Sequence, residues 1–443
     1  MNAGYLRTIP RKERHRFWKQ MRNARASAFA VWKSDLTHSR LIIHPLGLNS
    51  RTCKVDAEMP HVSQVLADLS RSAQYAVALD ARGFFNQFHI SDSVGRDFAF
   101  KVGGRWLAPT RLPMGFRLSP AIAQRVLLLL LRRAGLAGCS LVWVDNILIT
   151  GLTADEVEDR LQKFAALAEE CALIWQEESR GQVVDYLGAR LDFGTGTFRF
   201  KESFQEKLTS LAALAVAAAD CNKPLTLGQF RSLAGSCVWV MHLSRTPLHF
   251  LKDTLGNLSE ASRHLSLGHH ESVYLPYCTM PSDELDRVVD LVKAQHLLAP
   301  PTLPCAPLDL YTDSSDSMGG LYVGGLCEPT SNVAQWAWDE VDAHINVKEM
   351  SAILLGVQHL QLSDVAVRVH TDSSVCHRIL NKRYTRSRRL QPLLGSILQF
   401  CEHSNIQLQV HWVPTGLNPA DLPSRQRLGP GPLITRAVYP QAL

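Results

Sequence analysis

Long hydrophobic runs are missing from this sequence. The most apolar stretch, Val126 to Leu131, is fenced by Arg125, Arg132 and Arg133 and falls far short of the roughly 20 residues a membrane span requires. It predicts a buried helix face, and no membrane partner. The N-terminus carries Arg7, Arg11, Lys12, Arg14 and Arg16 without an apolar segment of the signal-peptide kind, so an intracellular protein, cytoplasmic or nuclear, is expected. None of the ten cysteines stands in a C-x-x-C pair, which argues against a zinc knuckle or a disulfide framework and predicts reduced thiols. Repeats of solenoid period are absent as well.

What is present is an ordinary globular composition. The 443 residues are 46% hydrophobic and 20% charged, enough for two to four packed units and not the signature of extended disorder. The net charge of +6 favours a polyanionic partner but is weak on its own, because many basic proteins bind nothing special.

The clearest seam is Leu298 to Pro307, where four prolines in ten residues can continue neither a helix nor a central strand. Upstream, Ala154 to Ile174, Phe204 to Ala219 and Leu225 to Leu251 have helical apolar recurrence. Downstream the period changes to two. Leu308 and Leu310 lead to Asp313, Val365, Val367 and Val369 lead to Asp372, and Ile406 to Trp412 alternates again. Between the first two strands, Val347 to Leu362 reads as a helix with Glu349 in its first turn, giving an α/β outline. From Gly429 onward the chain reads as a loose tail.

Acids inside apolar runs need a reason. Tyr75 to Leu79 is a β-prone run that delivers Asp80, and Leu141 to Ile149 is interrupted only by Asp145 and Asn146. Two such strands fit sheet neighbours that hold a divalent cation, since unpaired buried carboxylates are costly. An Asp-Asn pair is equally a hairpin turn signal, and the two readings are compatible.

The runs LDARGFFNQFHI (Leu79 to Ile90), LPMGFRLSP (Leu112 to Pro120), VWVDNILI (Val142 to Ile149) and YLGARLDF (Tyr186 to Phe193) resemble motifs A, B, C and E of reverse transcriptases, in that order. The resemblance covers roughly residues 30 to 250 and implies a right-hand polymerase of fingers, palm and thumb. It makes Asp80 and Asp145 the catalytic, metal-binding aspartates and puts Asn146 where the family has a second aspartate. It further implies nucleotide contacts at Lys33, Arg40, Ala81, Phe85, Gln87, Met114 and Gly115, with Phe85 crowding a sugar 2′-OH so that DNA is made, and a primer grip at Tyr186, Leu187 and Gly188. The implied chemistry is two-metal nucleotidyl transfer with Mg²⁺, or Mn²⁺ in its place. Asn146 offers an oxygen without charge, which weakens metal affinity at that corner.

LYTDSSDSMGG (Leu310 to Gly320), INVKEMSAIL (Ile345 to Leu354), VRVHTDSSV (Val367 to Val375) and HWVPTGLNPADLPSR (His411 to Arg425) together resemble the ribonuclease H domain of retroelements. Asp313, Glu349, Asp372 and Asp421 then fall on its four acidic positions, which bind two divalent metals and hydrolyse RNA paired to DNA. Asn418 and Ser424 fall in an N-x-x-D-x-x-S-R signature of retrotransposon forms. Taken singly, Asp313 and Asp372 are strand-end residues, Glu349 a first-turn acid and Asp421 a cap; their conjunction carries the signal. The basic run Lys382, Arg383, Arg386, Arg388 and Arg389 suits the backbone of a hybrid, with affinity that falls steeply with salt.

The expected architecture is therefore α/β and α+β multidomain. Fingers and palm span 1–200, thumb and connection 201–297, a proline-rich linker 298–307, a ribonuclease H-like α/β domain 308–428 and a tail 429–443. The resemblance implies an RNA-directed and DNA-directed DNA polymerase with ribonuclease H activity, from a long-terminal-repeat or DIRS-like tyrosine-recombinase retroelement. Its partners would be an RNA template, a DNA primer and product, RNA–DNA hybrid and dNTPs. The rival reading is a non-catalytic or half-dead nucleic-acid scaffold derived from a reverse transcriptase.

Overall fold

The computed structural model describes residues 4–24, 26–32, 39–53, 55, 57–266, 272–300, 307–324, 333–338, 343–359, 361 and 363–426. Lys33, most of the proline-rich linker and the tail lie outside the described residues. The chain divides into two compact units, Met1–Gln205 with Lys293–Pro300, and Glu206–Val292 with Pro301–Leu443. No described helix is long and apolar enough to cross a membrane.

The first unit is built around a four-stranded sheet in the order Ser140–Trp143, Asn146–Gly151, Tyr75–Asp80, Gln176–Gly181. All pairs are antiparallel. The Tyr75–Asp80 strand is central and its four inner residues are buried, which is why it reads as a continuous apolar run rather than an alternating one. Helices Ser119–Arg133 and Ala154–Glu170 supply Leu127, Leu131, Leu161 and Phe164 to the same core as Val77, Leu79, Ile147 and Ile149. The apolar run Val126 to Leu131 is only half buried: Leu127 and Leu131 are inside, whereas Leu129 is 60% exposed. The second of these helices starts where Thr153 accepts the Glu156 N–H with its side chain, an N-cap that satisfies one orphan donor. A two-stranded ribbon pairs Ala26–Trp32 with Ser39–Pro45. A further sheet carries the hairpin Val183–Tyr186 and Ala189–Asp192.

The second unit contains helices Leu227–Leu243, Lys252–Ser266 and Ser282–Lys293. The first opens on a capping box between Thr226 and Gln229, and its apolar run ends in a separate 3₁₀ turn at Leu248–Leu251. The unit also contains a five-stranded sheet in the order Val333–Ala337, Met318–Gly324, Leu308–Ser314, Ala366–Thr371, Gln407–Trp412. The last three strands run parallel, so helical connections must join them. Helix Ile345–His359 belongs to the first connection and buries Met350, Ile353 and Val357 with Leu310, Val367 and Val369. It begins earlier than the expected Val347, which puts Glu349 in its second turn rather than its first. The cause is His344, whose Nδ1 accepts the Asn346 N–H at 3.2 Å while its carbonyl accepts from Val347.

Candidate active sites

In the first unit the hairpin between Trp143 and Asn146 closes on two residues, Val144 and Asp145, with Val144 at φ 57°. Asn146 is the first residue of the strand that follows and stands opposite Asp80. The turn and the site are thus one object: Asp145 rides on the turn, and its carbonyl accepts the Ala81 N–H at 2.8 Å. Asn146 donates from Nδ2 to Asp145 Oδ1 at 2.9 Å.

Burial raises the carboxyl of Asp80, and the charges of Asp145 and Glu178 raise it further, against the pull of Arg40 and Arg82. Burial likewise raises Asp145; its own backbone hydrogen bond, Arg40 and Asn146 pull it back. Both acids are therefore strained as a metal-free anionic pair, the state a cation relieves. Glu178 sits where the strand register skips a residue between Ala78 and Leu79, and nothing in the sequence announced that bulge.

The residues matched to nucleotide contacts separate into two groups. Arg40 is exposed on its ribbon strand. Met114 and Gly115 form a turn against that ribbon: Ile43 donates to the Met114 carbonyl at 2.9 Å, and a Cβ on Gly115, at φ 102°, would stand 2.4 Å from the Ile43 carbonyl oxygen. Only glycine fits there. Ala81, by contrast, is fully buried in the core, and Phe85 packs partly against the same cluster. Gln87 spends its amide on the backbone, donating to the carbonyls of Arg82 and Ile174 at 2.8 and 2.7 Å and accepting from Ile174 N–H at 2.8 Å. Tyr186 is buried and its hydroxyl donates to the carbonyls of Leu141 and Asn146, so it braces the acidic hairpin from below. Leu187 and Gly188, both at positive φ, make the tight turn beyond it.

One supporting residue escaped the sequence reading. Gln124, fully buried on helix Ser119–Arg133, donates to the Val142 carbonyl at 3.1 Å and accepts the Val144 N–H at 2.8 Å. It holds the incoming side of the turn that carries Asp145. An amide inside the otherwise apolar face of SPAIAQRVLLLLL was the available signal.

In the second unit, Asp313, Glu349 and Asp372 each offer a carboxylate oxygen, and these atoms lie within 4.8 Å of one another. Asp313 comes from the penultimate position of its strand, Asp372 from just past the end of its neighbour, and Glu349 from the crossover helix. Burial, then the Asp313 and Asp372 charges, push Glu349 up to about 9. Asp313 is pushed up to about 6, mainly by burial, with the Ser424 hydroxyl that donates to it acting in the opposite sense. Glu349 Oε2 is buried without a hydrogen-bond partner. A buried, orphaned carboxylate oxygen facing two more carboxylates is a donor set that fits a hard divalent cation.

Asp421 is not within that trio. Its Oδ1 accepts from Arg425 Nε at 2.7 Å, although its charge still raises Asp313. The segment that bears it is held close by Asn418, whose Nδ2 donates to the Thr312 carbonyl at 3.0 Å, and by Gly320, where a Cβ would meet the Ser424 nitrogen at 2.6 Å. Lys348 is buried and donates to the Asp316 carbonyl at 2.6 Å, which fixes the turn after Asp313. All five residues of the basic run, Lys382, Arg383, Arg386, Arg388 and Arg389, are exposed. Arg383 adopts a left-handed conformation at the end of helix Ser374–Lys382 and reaches the Arg245 carbonyl at 3.5 Å.

No protein-family model matches the chain, and no curated protein does. Among solved structures, similarity is found to a foamy viral protease–reverse transcriptase in complex with double-stranded DNA, with 18% identity and a TM-score of 0.49 over 93% of this chain and 67% of that one. The same foamy viral protein in complex with an RNA/DNA hybrid gives 18% and 0.47 over 94% and 53%. Another of its complexes with double-stranded DNA gives 18% and 0.48 over 93% and 80%.

Proposed function

We propose that the chain is an RNA-directed and DNA-directed DNA polymerase that also cleaves the RNA strand of RNA–DNA hybrids, and that it serves the replication of a retrotransposon inside the cell. One observation carries the reading. Each unit gathers carboxylates around its strand ends, Asp80 with Asp145 in one and Asp313 and Asp372 with the helical Glu349 in the other, and burial raises Asp80, Asp145, Asp313 and Glu349. The four ordered motifs in the sequence choose the chemistry that such clusters serve.

Asp80 and Asp145 would hold Mg²⁺ in the polymerase centre, and Asp313, Glu349 and Asp372 in the nuclease centre, with Asp421 beside them. Bound there, two cations would supply Lewis acidity to the attacking oxygen and neutralise charge on the phosphate. The chain's own residues do the rest. Arg40 places a cation beside both polymerase aspartates, where a triphosphate needs one. Phe85 crowds the sugar, the Met114–Gly115 turn lies against the incoming base, and the Tyr186–Gly188 hairpin seats the primer end. Arg386, Arg388 and Arg389, with Arg383, grip the hybrid backbone.

The test is primer extension on an RNA template in Mg²⁺, beside cleavage of a labelled RNA in a hybrid. Asp80→Asn is expected to remove extension and spare cleavage, and Asp313→Asn to do the reverse. Failure of the unsubstituted chain in both assays would establish the scaffold reading instead. A live nuclease with a weakened polymerase is favoured by one contact, the Asn146 amide that occupies Asp145 Oδ1 without adding charge.

A further inference from the structure

The basic N-terminal run has no part in either acidic cluster, yet it builds a cavity. Arg11, Arg14, His15, Trp18 and Trp106 line a space of about 440 Å³ in the first unit. Trp106 is partly buried against Ile9, Met21, Ala99 and Ala108, so its indole is fixed. Trp18 meets it edge-on, ring centres 5.8 Å apart at 78°, and remains 49% exposed. A large aromatic held against a fixed ring and still half exposed offers surface on which a flat ligand can stack.

The charge around it is unbalanced. Glu13 is the acid nearest in sequence, but it is occupied by Arg7 at 2.7 Å and Arg96 at 2.9 Å. Asp92 is paired with Arg7 at 2.9 Å. Arg11 and Arg14 form no ion pair among the described residues, and Arg14 Nε is buried with no hydrogen-bond partner. A buried guanidinium nitrogen left unmatched beside open indoles calls for a ligand that is anionic at one end and flat and aromatic at the other. Two guanidinium groups also disfavour a cationic occupant of the aromatic surface.

We propose that this cavity binds a nucleotide unit, its base against Trp18 and Trp106 and its phosphate on Arg11 and Arg14. The volume suits a small ligand, and stacking on an aromatic platform beside basic groups is how single strands are held without regard to sequence. The choice of a polynucleotide as the source of that unit rests on the function proposed above; the cavity's chemistry does not.

The experiment uses the full chain and a single-stranded oligodeoxynucleotide carrying bromodeoxyuridine, irradiated and mapped by mass spectrometry, with affinity followed by fluorescence anisotropy. The expected crosslink falls in the peptide holding Trp18 or that holding Trp106. Trp18→Ala and Arg14→Gln should each weaken binding roughly tenfold, and Arg11→Gln, at an exposed position, should do so without altering the melting temperature. Competition by dTMP as strong per nucleotide as the oligonucleotide identifies free nucleotide as the source; weak competition identifies the strand. Crosslinks confined to other peptides, unchanged affinity in all three variants, or full displacement by inorganic phosphate alone would overturn the proposal. If extension is absent while the Trp18 crosslink persists, the polymerase reading fails and this site stands. If extension is normal and the crosslink missing, only this site falls.

Discussion

Replacing Glu349 with Gln should make the metal-free protein more stable in mild alkali, even though it removes nuclease activity. Folded Glu349 binds its proton up to a pH of about 9, against an ordinary 4.5. Between those values the folded chain holds a proton that the unfolded chain has released. Because the folded pKa is raised, this contribution to stability is complete below about 4.5 and is lost as pH climbs towards 9, at ~1.4 kcal/mol per pH unit. Asp313, raised only to about 6, has given up its share by then. From about pH 6.5 to 8.5 the unsubstituted chain should therefore lose about 3 kcal/mol through Glu349 alone, or roughly 5 to 10 °C in the transition of a unit this size. Glu349→Gln keeps the shape of the side chain and removes the ionisation, so its pH slope should be flatter by that amount. The assay is thermal unfolding in EDTA across this window, repeated in Mg²⁺. Mg²⁺ should restore the unsubstituted chain most strongly at the alkaline end, where the carboxylate form it needs is within reach, and should barely move the variant. Parallel slopes for the two proteins in EDTA would refute the reasoning.

Two further outcomes follow from the first unit. Asn146→Asp exchanges a hydrogen bond to Asp145 for a third carboxylate, so extension should be kept or raised, most visibly at low Mg²⁺; a clear loss in a steady-state assay would show that the amide is required. Gln124→Leu strands the Val142 carbonyl and the Val144 N–H in a buried place, at a cost of roughly 1–3 kcal/mol for each group. A lower melting temperature and lost extension with intact hybrid cleavage are expected, and unchanged extension would show that the hairpin holds its own shape.

Much of the strand framework was legible because acids set in apolar runs advertise themselves. Asp80, Asp145, Asp313 and Asp372 each interrupt or end an apolar run, and the strands Tyr75–Asp80, Leu308–Ser314 and Ala366–Thr371 follow those runs closely. Less legible were features set by contacts far apart in sequence. The start of the Glu349 helix depends on a histidine cap, outside the usual set of capping residues. The bulge at Glu178 depends on how one strand meets another. Ala81, Gln87 and Tyr186 were matched by position to ligand contacts, yet their groups are engaged by the core, by Ile174 and by the hairpin backbone. Motif position specifies where a residue lies along a strand, and only the fold decides which partner claims its side chain.

Helix Ser119–Arg133 has one more consequence. Its first residue donates from Ser119 Oγ to the Pro113 carbonyl at 2.8 Å, next to the Met114–Gly115 turn, while Gln124 grips the Asp145 hairpin. The two anchors stand five positions apart along the helix, about 7.5 Å of rise. The helix is in effect a ruler that sets the gap between the glycine turn and the acidic turn. A single residue inserted between positions 119 and 124 would lengthen it by only about 1.5 Å but swing Gln124 about 100° around the axis, so the spacing of the two turns is encoded in rotation more strictly than in length.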